Sequence, residues 1–181
     1  MGESPELSVL IHELGGMLSS VQGFAHIAAE NPDHPERERF IKLAASEAKR
    51  AAQAVKDVHL VRSFDRGRIH PSPSAVPLRA LLGGDVGDVR VTVDPAKISD
   101  LLERCRGAAV APVEADPERA ELRVPIAPAD QLGRRAEALD APYPDMVMWS
   151  LLRRLLRHWG GDVTLAVEGE WTVARASFPR G

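Results

Sequence analysis

Cysteine occurs once in this chain, at Cys105, which excludes an intramolecular disulfide and any zinc site built on a cysteine cluster. A basic excess is also missing. The 23 Lys and Arg residues face 26 Asp and Glu, for a formal net charge of −3. That balance lacks the electrostatic footprint of a nucleic-acid binder. Long apolar runs are absent as well, and residues 1–16 have no positively charged leader region. The expectation is therefore a chain with no signal peptide, no membrane contact and a cytoplasmic location. No internal repeat or low-complexity tract is present. What remains is ordinary: 181 residues, 44% hydrophobic and 27% charged. Such a chain can bury a core, as one compact domain or two small ones.

The pattern divides near residues 65–77. Asp65 to Pro77 holds three prolines and two serines among polar neighbours and reads as a linker. Before it lie two long helices. The first opens on Ser4-Pro5-Glu6, a serine cap followed by proline and an acid in the first turn. Its apolar positions, Leu7, Leu10, Leu14, Met17, Val21, Phe24 and Ala28, alternate three and four apart, the spacing of a bundle seam. Asn31 to Pro35 ends it. Asp33, with Glu36 three residues on, gives a capping-box pattern for the second helix, which runs to about Phe64. Its predicted seam is Ile41, Ala44, Ala48, Ala51, Val55, Val58 and Val61 or Leu60. A lone hairpin of this kind leaves part of its apolar surface unpaired, so a homodimeric four-helix bundle is its natural completion.

After the linker, short apolar runs alternate with helical patterns. Val76–Leu82 reads as a short helix, and Val89–Val93 as a strand. Asp94-Pro95 opens a helix carrying Ile98, Leu101, Leu102 and Cys105, the last a core residue. Glu121–Ile126 reads as a strand near a sheet edge because of Pro125. Asp130–Leu139 is helical, and Met146–Trp159 is an amphipathic helix stopped by Gly160-Gly161. Val163–Val167 and Trp171–Phe178 form a hairpin around Glu168-Gly169-Glu170. Trp149 and Trp159 are packing residues. The fold class is thus α+β, with a helical hairpin over residues 1–67 and a small α/β sandwich over residues 77–181.

Particular residues sharpen this outline. His12-Glu13-Leu14-Gly15-Gly16-Met17-Leu18 resembles the phosphoacceptor box of histidine kinases, H-E-L-R-x-P-L, matching at His12, Glu13, Leu14 and Leu18, with Gly15 and Met17 replacing its arginine and proline. Ala48-Lys49-Arg50 and Val58–Arg62 resemble that family's second helix. Val91-Thr92-Val93-Asp94 resembles the approach to its N box, and Trp159-Gly160-Gly161-Asp162-Val163 with Phe178-Pro179 resembles its C-terminal strand pair. The order of these motifs spans nearly the whole chain. The departures concern the nucleotide. Ile98–Val110 contains no asparagine, offering Glu103 and Gly107 instead, and no D-x-G-x-G box lies near Val124–Gly133. Tyr143-Pro144-Asp145-Met146-Val147-Met148 stands where the family has a glycine-rich phosphate loop, and bulky side chains there hinder backbone approach to phosphates. The resemblance implies a degenerate ATPase-like domain that binds no nucleotide. It further implies a dimeric histidine phosphotransferase working with response-regulator receiver domains, with no cofactor of its own and Mg2+ on the partner.

On this reading His12 is the phosphoryl carrier. A neutral imidazole nitrogen can attack phosphorus, and the phosphoramidate formed can pass the group to an aspartate. With Leu7, Leu14 and Val21 at heptad position a, His12 falls at f, away from the seam. Glu13 is the candidate orienting acid, directly or through water. Ser8, Gly15, Gly16, Ser19 and Gly23 share the outward face and read as a landing strip for the partner. The glycines, each costing about 1 kcal/mol in a helix interior relative to alanine, are equally able to weaken or bend the helix. A zinc protease is excluded, because its second histidine would fall at Gly16. Gly16 also argues against phosphatase activity, since related kinases carry Thr or Asn there. His26 reads as a surface residue, and His34, His59, His70 and His158 are given no role. Three other readings stay open: a pseudokinase adaptor that carries no phosphate, a kinase with an atypical nucleotide site, and a purely structural helical dimer.

Overall fold

The computed structural model describes residues 4–68, 72–82, 89–140 and 146–180. The chain divides into two compact units, Met1–Ile69 and His70–Gly181. Residues 69–71 of the linker and Tyr143, Pro144 and Asp145 of the loop before the last helix lie outside the described residues.

The first unit is a long antiparallel hairpin of α1 (Pro5–Glu30) and α2 (Arg37–Asp65). Ser4 holds the N-cap backbone position of α1, where its carbonyl accepts the Leu7 and Ser8 N–H groups. Its hydroxyl, however, makes no cap bond, unlike the serine cap read from sequence. At the other end Asn31 Nδ2 donates to the Ile27 carbonyl at 3.1 Å, and Arg37 Nε to that of Ala28 at 3.0 Å. These donors satisfy the carbonyls that a helix C-terminus leaves open. The expected Asp33 capping box does not form. Residues 32–36 make turns instead, α2 starts at Arg37, and the Glu36 N–H donates to His34 Nδ1 at 3.1 Å. The imidazole thus does locally what the aspartate was expected to do.

The seam of α1 is the predicted one: Leu7, Leu10 and Ala28 are buried, and Leu14, Met17, Val21 and Phe24 half-buried. The seam of α2 differs. Phe40, Ala44, Glu47, Ala51, Ala54, Val58 and Val61 turn inward, whereas Ile41, Ala48 and Val55 are exposed. An alanine-rich helix presents neighbouring heptad stripes of similar apolarity, so periodicity alone does not choose between them.

The second unit is a two-layer α/β sandwich. Its main sheet runs β3-β4-β6-β5, all antiparallel, with β3 (Glu114–Asp116), β4 (Glu121–Pro128), β5 (Asp162–Glu168) and β6 (Trp171–Ser177). A two-stranded sheet pairs β1 (Ser74–Pro77) with β2 (Arg90–Val93), and the chain end joins it where the Thr92 N–H donates to the Pro179 carbonyl at 2.8 Å. Val76 and Pro77, expected in a helix, belong to β1. The short helix α3 is Leu78–Leu82. Pro125 does not mark an edge strand, since β4 lies between β3 and β6. Proline is tolerated there because β3 pairs only with Glu121–Arg123 and a register shift between Pro125 and Ala127 interrupts the other ladder.

Helices α4 (Pro95–Gly107), α5 (Leu132–Glu137, after a 3-10 turn at Ala129–Gln131) and α6 (Val147–Trp159) complete the unit. Asp94 caps α4, accepting the Ala96 N–H at 3.1 Å and the Ser72 N–H at 3.2 Å. The core joins Ile98, Leu101, Leu102 and Cys105 of α4 and Trp149, Leu152, Leu155 and Leu156 of α6 to Leu122, Val124, Val163, Ala174 and Ala176 of the sheet, all buried. Gly160 ends α6 at φ +92°, a conformation that favours glycine. A Cβ on Gly161 would stand 2.3 Å from the Ser177 carbonyl oxygen. Arg157 and Arg153 pin α6 to β5 through Asp162, at 2.8 and 3.2 Å.

Candidate functional site

The candidate site lies on the face of α1 opposite its seam. A continuous helix places residues seven apart in nearly the same direction, so His12, Ser19 and His26 share one stripe, flanked by Ser8, Gly15, Gly16 and Gly23. His12 is exposed, as are Ser8, Gly15, Gly16, Ser19 and Gly23, while Glu13 is half-buried. Helix α1 carries no Lys or Arg, so this outward face offers no cationic side chain of its own.

Neither ring nitrogen of His12 has a hydrogen-bond partner among the described residues. The direct Glu13–His12 bond considered from sequence is therefore not formed. The reason is geometric: consecutive helix residues point about 100° apart and do not face each other. Ser19 Oγ donates back to the Gly15 carbonyl and Ser20 Oγ to that of Gly16, each at 3.0 Å. Such back-bonds satisfy the hydroxyls within the helix and favour slight bending. A Cβ built on Gly15, Gly16 or Gly23 meets nothing within 4 Å, so space within the chain does not dictate glycine at these positions.

Two features escaped the sequence reading. One is a pair on the same stripe: His26 Nε2 lies 3.1 Å from Glu30 Oε2, with side chains 68% and 63% exposed. Its four-residue spacing was the available signal. The other is apolar. Ile11, Leu18, Ile41 and Val55 are each 40–50% exposed. With Ala25 and Ala48, also exposed, they form one heptad stripe on each helix (11, 18, 25 and 41, 48, 55). In an antiparallel pair with these seams, corresponding flanking positions lie on one side, so the two stripes make a single apolar face.

In the second unit, the inward positions of α4 and α6 are filled by apolar side chains and, on α6, by Ser150, with Met146 and Trp149 buried at the start of α6 and Glu103 and Gly107 exposed on α4. Among the described residues there is no cluster of three His, Cys, Asp or Glu able to hold a metal ion, and no helix long and apolar enough to cross a membrane.

No protein-family model matches the chain, and no curated protein matches it by sequence. Solved structures do match. The histidine kinase AdeS of Acinetobacter baumannii superposes with a TM-score of 0.62 at 13% identity, over 93% of this chain and 97% of that one. Full-length ShkA in complex with AMPPNP gives 0.49 at 20% identity, over 98% of this chain and 46% of that one. The fold, a long antiparallel hairpin followed by a small α/β sandwich, is that of a histidine kinase's helical and catalytic domains.

Proposed function

We propose that this chain is a homodimeric histidine phosphotransferase that exchanges phosphoryl groups with the aspartate of a response-regulator receiver domain through phospho-His12, without binding ATP. The observation that carries the reading is His12 itself: an exposed imidazole with both nitrogens unengaged among the described residues, on the outer face of a hairpin of histidine-kinase fold.

In the forward step a neutral His12 nitrogen attacks the phosphorus of the receiver's aspartyl phosphate. The N–P bond forms, the P–O bond to the aspartate breaks, and the carboxylate leaves. The proton on the other ring nitrogen passes to water, with half-buried Glu13 close enough in sequence to receive it through that water. Mg2+ belongs to the receiver, whose charge it neutralises. The uncharged strip of Ser8, Gly15, Gly16, Ser19 and Gly23 lets the partner's backbone come close to His12. The apolar face of Ile11, Leu18, Ile41 and Val55 supports the dimer: four large side chains left in water on one side of a hairpin are covered when a second copy completes a four-helix bundle. The proposal that no nucleotide is bound rests on the sequence, which has Tyr143-Pro144-Asp145-Met146-Val147-Met148 where the family has a glycine-rich phosphate loop.

One observation favours a second reading. His12 lacks a direct orienting carboxylate, as it would in a pseudokinase adaptor that binds a regulator or kinase without carrying phosphate. Incubation with receiver domains phosphorylated on aspartate separates the two. A phosphotransferase gains acid-labile, base-stable label that is absent from His12→Ala. An adaptor gains none and keeps its binding in the variant.

A further inference from the structure

The charges of the hairpin are divided between its helices. Helix α1 carries Glu6, Glu13 and Glu30 and no Lys or Arg, a net −3 with its histidines neutral. Helix α2 carries seven Lys and Arg against four Asp and Glu, a net +3. Lys42 is paired with Glu38 at 2.6 Å and Arg50 with Glu47 at 2.8 Å, whereas exposed Lys49 and Lys56 have no ion pair or hydrogen bond among the described residues. We infer that Lys49 and Lys56 of the partner subunit complete the His12 site, bracketing the phosphoryl group with the cations that its own helix lacks. This inference rests on the dimeric, phospho-His12 reading above.

When the apolar faces of two hairpins meet, two symmetric packings are open: α1 beside the partner's α2, or each helix beside its own copy. The second sets −3 against −3 and +3 against +3. The first sets unlike charges together and is favoured. Its two-fold axis runs along the bundle, which keeps matching residues of the two copies level. Phe24 stacks on Phe40, so residues whose numbers add up to about 64 lie level across the hairpin. His12 is then level with Ala52 of the partner subunit, a small exposed residue. The partner subunit's Lys49 lies about 5 Å to one side along the helix and the partner subunit's Lys56 about 6 Å to the other, at 1.5 Å per residue. The directions agree with the heights. His12 follows Ile11 of the apolar stripe by one residue, and Lys49 and Lys56 follow Ala48 and Val55, so each points about 100° round from the shared face and away from the seam. Within one hairpin, His12 and these lysines therefore point apart, and the site is incomplete without a second copy. With α1 beside the partner's α2, they share one outer flank, on helix axes about 8–10 Å apart. A lysine is a point charge on a flexible stem and suits the oxygens of a phosphoryl group held across such a gap. The lysines make no bond of their own in the transfer; they hold the charge spread over the phosphoryl oxygens as the N–P bond forms.

Two readouts test this, and neither uses a receiver domain, so their failure is distinct from failure of the phosphotransfer reading. In the first, two differently tagged full chains are co-expressed, one with His12→Cys and the other with Lys49→Cys or Lys56→Cys, and treated with a short bismaleimide; the native Cys105 is buried. The expected result is a cross-link between unlike chains at both lysine positions. Cross-links joining two His12→Cys chains, or none between chains, overturn the inference. In the second, the proteins are treated with phosphoramidate, a small anionic donor that phosphorylates imidazole with loss of ammonia, and labelled sites are read by peptide mass mapping. His158, exposed on α6, is the reference histidine within the same chain. The double variant Lys49→Ala/Lys56→Ala should label His12 several times more slowly relative to His158 than wild type does. Mixed dimers of that variant with His12→Ala, whose lysines are intact, should regain the wild-type rate at the remaining His12. Equal labelling in wild type and double variant, or no recovery in the mixed dimers, overturns the inference.

Discussion

Phe24 and Phe40 stack across the hairpin, with ring centroids 6.4 Å apart and planes inclined by 17°, and the His34 ring lies 5.5 Å from Phe40 on the turn side. This contact fixes the register of α1 against α2 near the turn, and with it the side of the hairpin on which each outward residue falls. Full truncation of a core phenylalanine costs about 3–5 kcal/mol. Both rings here are half-buried, so Phe40→Ala is expected to lower unfolding stability by about 2 kcal/mol, as measured by denaturant titration of the purified protein.

The dimer face gives a second test. Leu18→Asp places a charge in the middle of the apolar stripe without touching the intramolecular seam. Sedimentation should show wild type as a dimer and the variant shifted to monomer, with helical circular dichroism retained at high protein concentration. A variant that remains dimeric places the dimer contact elsewhere.

The glycines divide by surroundings. Gly15 and Gly16 are exposed helix-interior positions open to a Cβ, so Gly15→Ala and Gly16→Ala should each stabilise the protein by about 0.5–1 kcal/mol. If the strip is a docking surface, the same variants slow transfer from a phosphorylated receiver. A gain in stability with unchanged transfer reduces them to helix-weakening residues. Gly161→Ala acts oppositely. Its Cβ would meet a backbone oxygen at 2.3 Å, and the variant should lose about 2–3 kcal/mol by overpacking.

Acid sensitivity should centre partly on Asp162. Burial pushes its carboxyl up, but hydrogen bonding from Arg157, the Val163 N–H at 2.8 Å and the charges of Arg157 and Arg153 outweigh burial and hold it below the usual carboxylate range. A group whose folded value is depressed contributes stability above its unfolded value and loses it as pH falls through the folded one. Asp162→Asn should therefore destabilise the protein at neutral pH by about 1 kcal/mol, a modest figure because the pairs are partly solvent-screened. The gap from wild type should narrow as pH falls below the ordinary aspartate range.

The legibility of this fold in its sequence varied with how local the signal was. The seam of α1 was readable because Leu7 to Ala28 alternate three and four apart among polar neighbours. In α2, alanines at 44, 45, 48, 51, 52 and 54 make adjacent stripes equally apolar, and only packing against α1 selected Phe40, Glu47 and Ala54 over Ile41, Ala48 and Val55. Strand β3, Glu-Ala-Asp, has no apolar alternation and exists through its pairing with Glu121–Arg123, a contact invisible locally. Val76 and Pro77 became strand for the same reason, through β2. Asp33 does not cap α2 because the helix starts later, at Arg37, and the Glu36 N–H is taken by His34 Nδ1. The exposed stripe bearing His12 was legible from heptad position alone, whereas the His26–Glu30 pair needed side-chain geometry.

The central claim concerns the source and the seat of the phosphoryl group. The most direct measurement labels the protein in parallel from a receiver domain phosphorylated on aspartate and from radiolabelled Mg-ATP, in wild type and His12→Ala. The account predicts acid-labile label from the receiver only, with the fraction on the His12 peptide gone in the variant. Label from Mg-ATP, or a His12 peptide that stays unlabelled with every receiver offered, would contradict it.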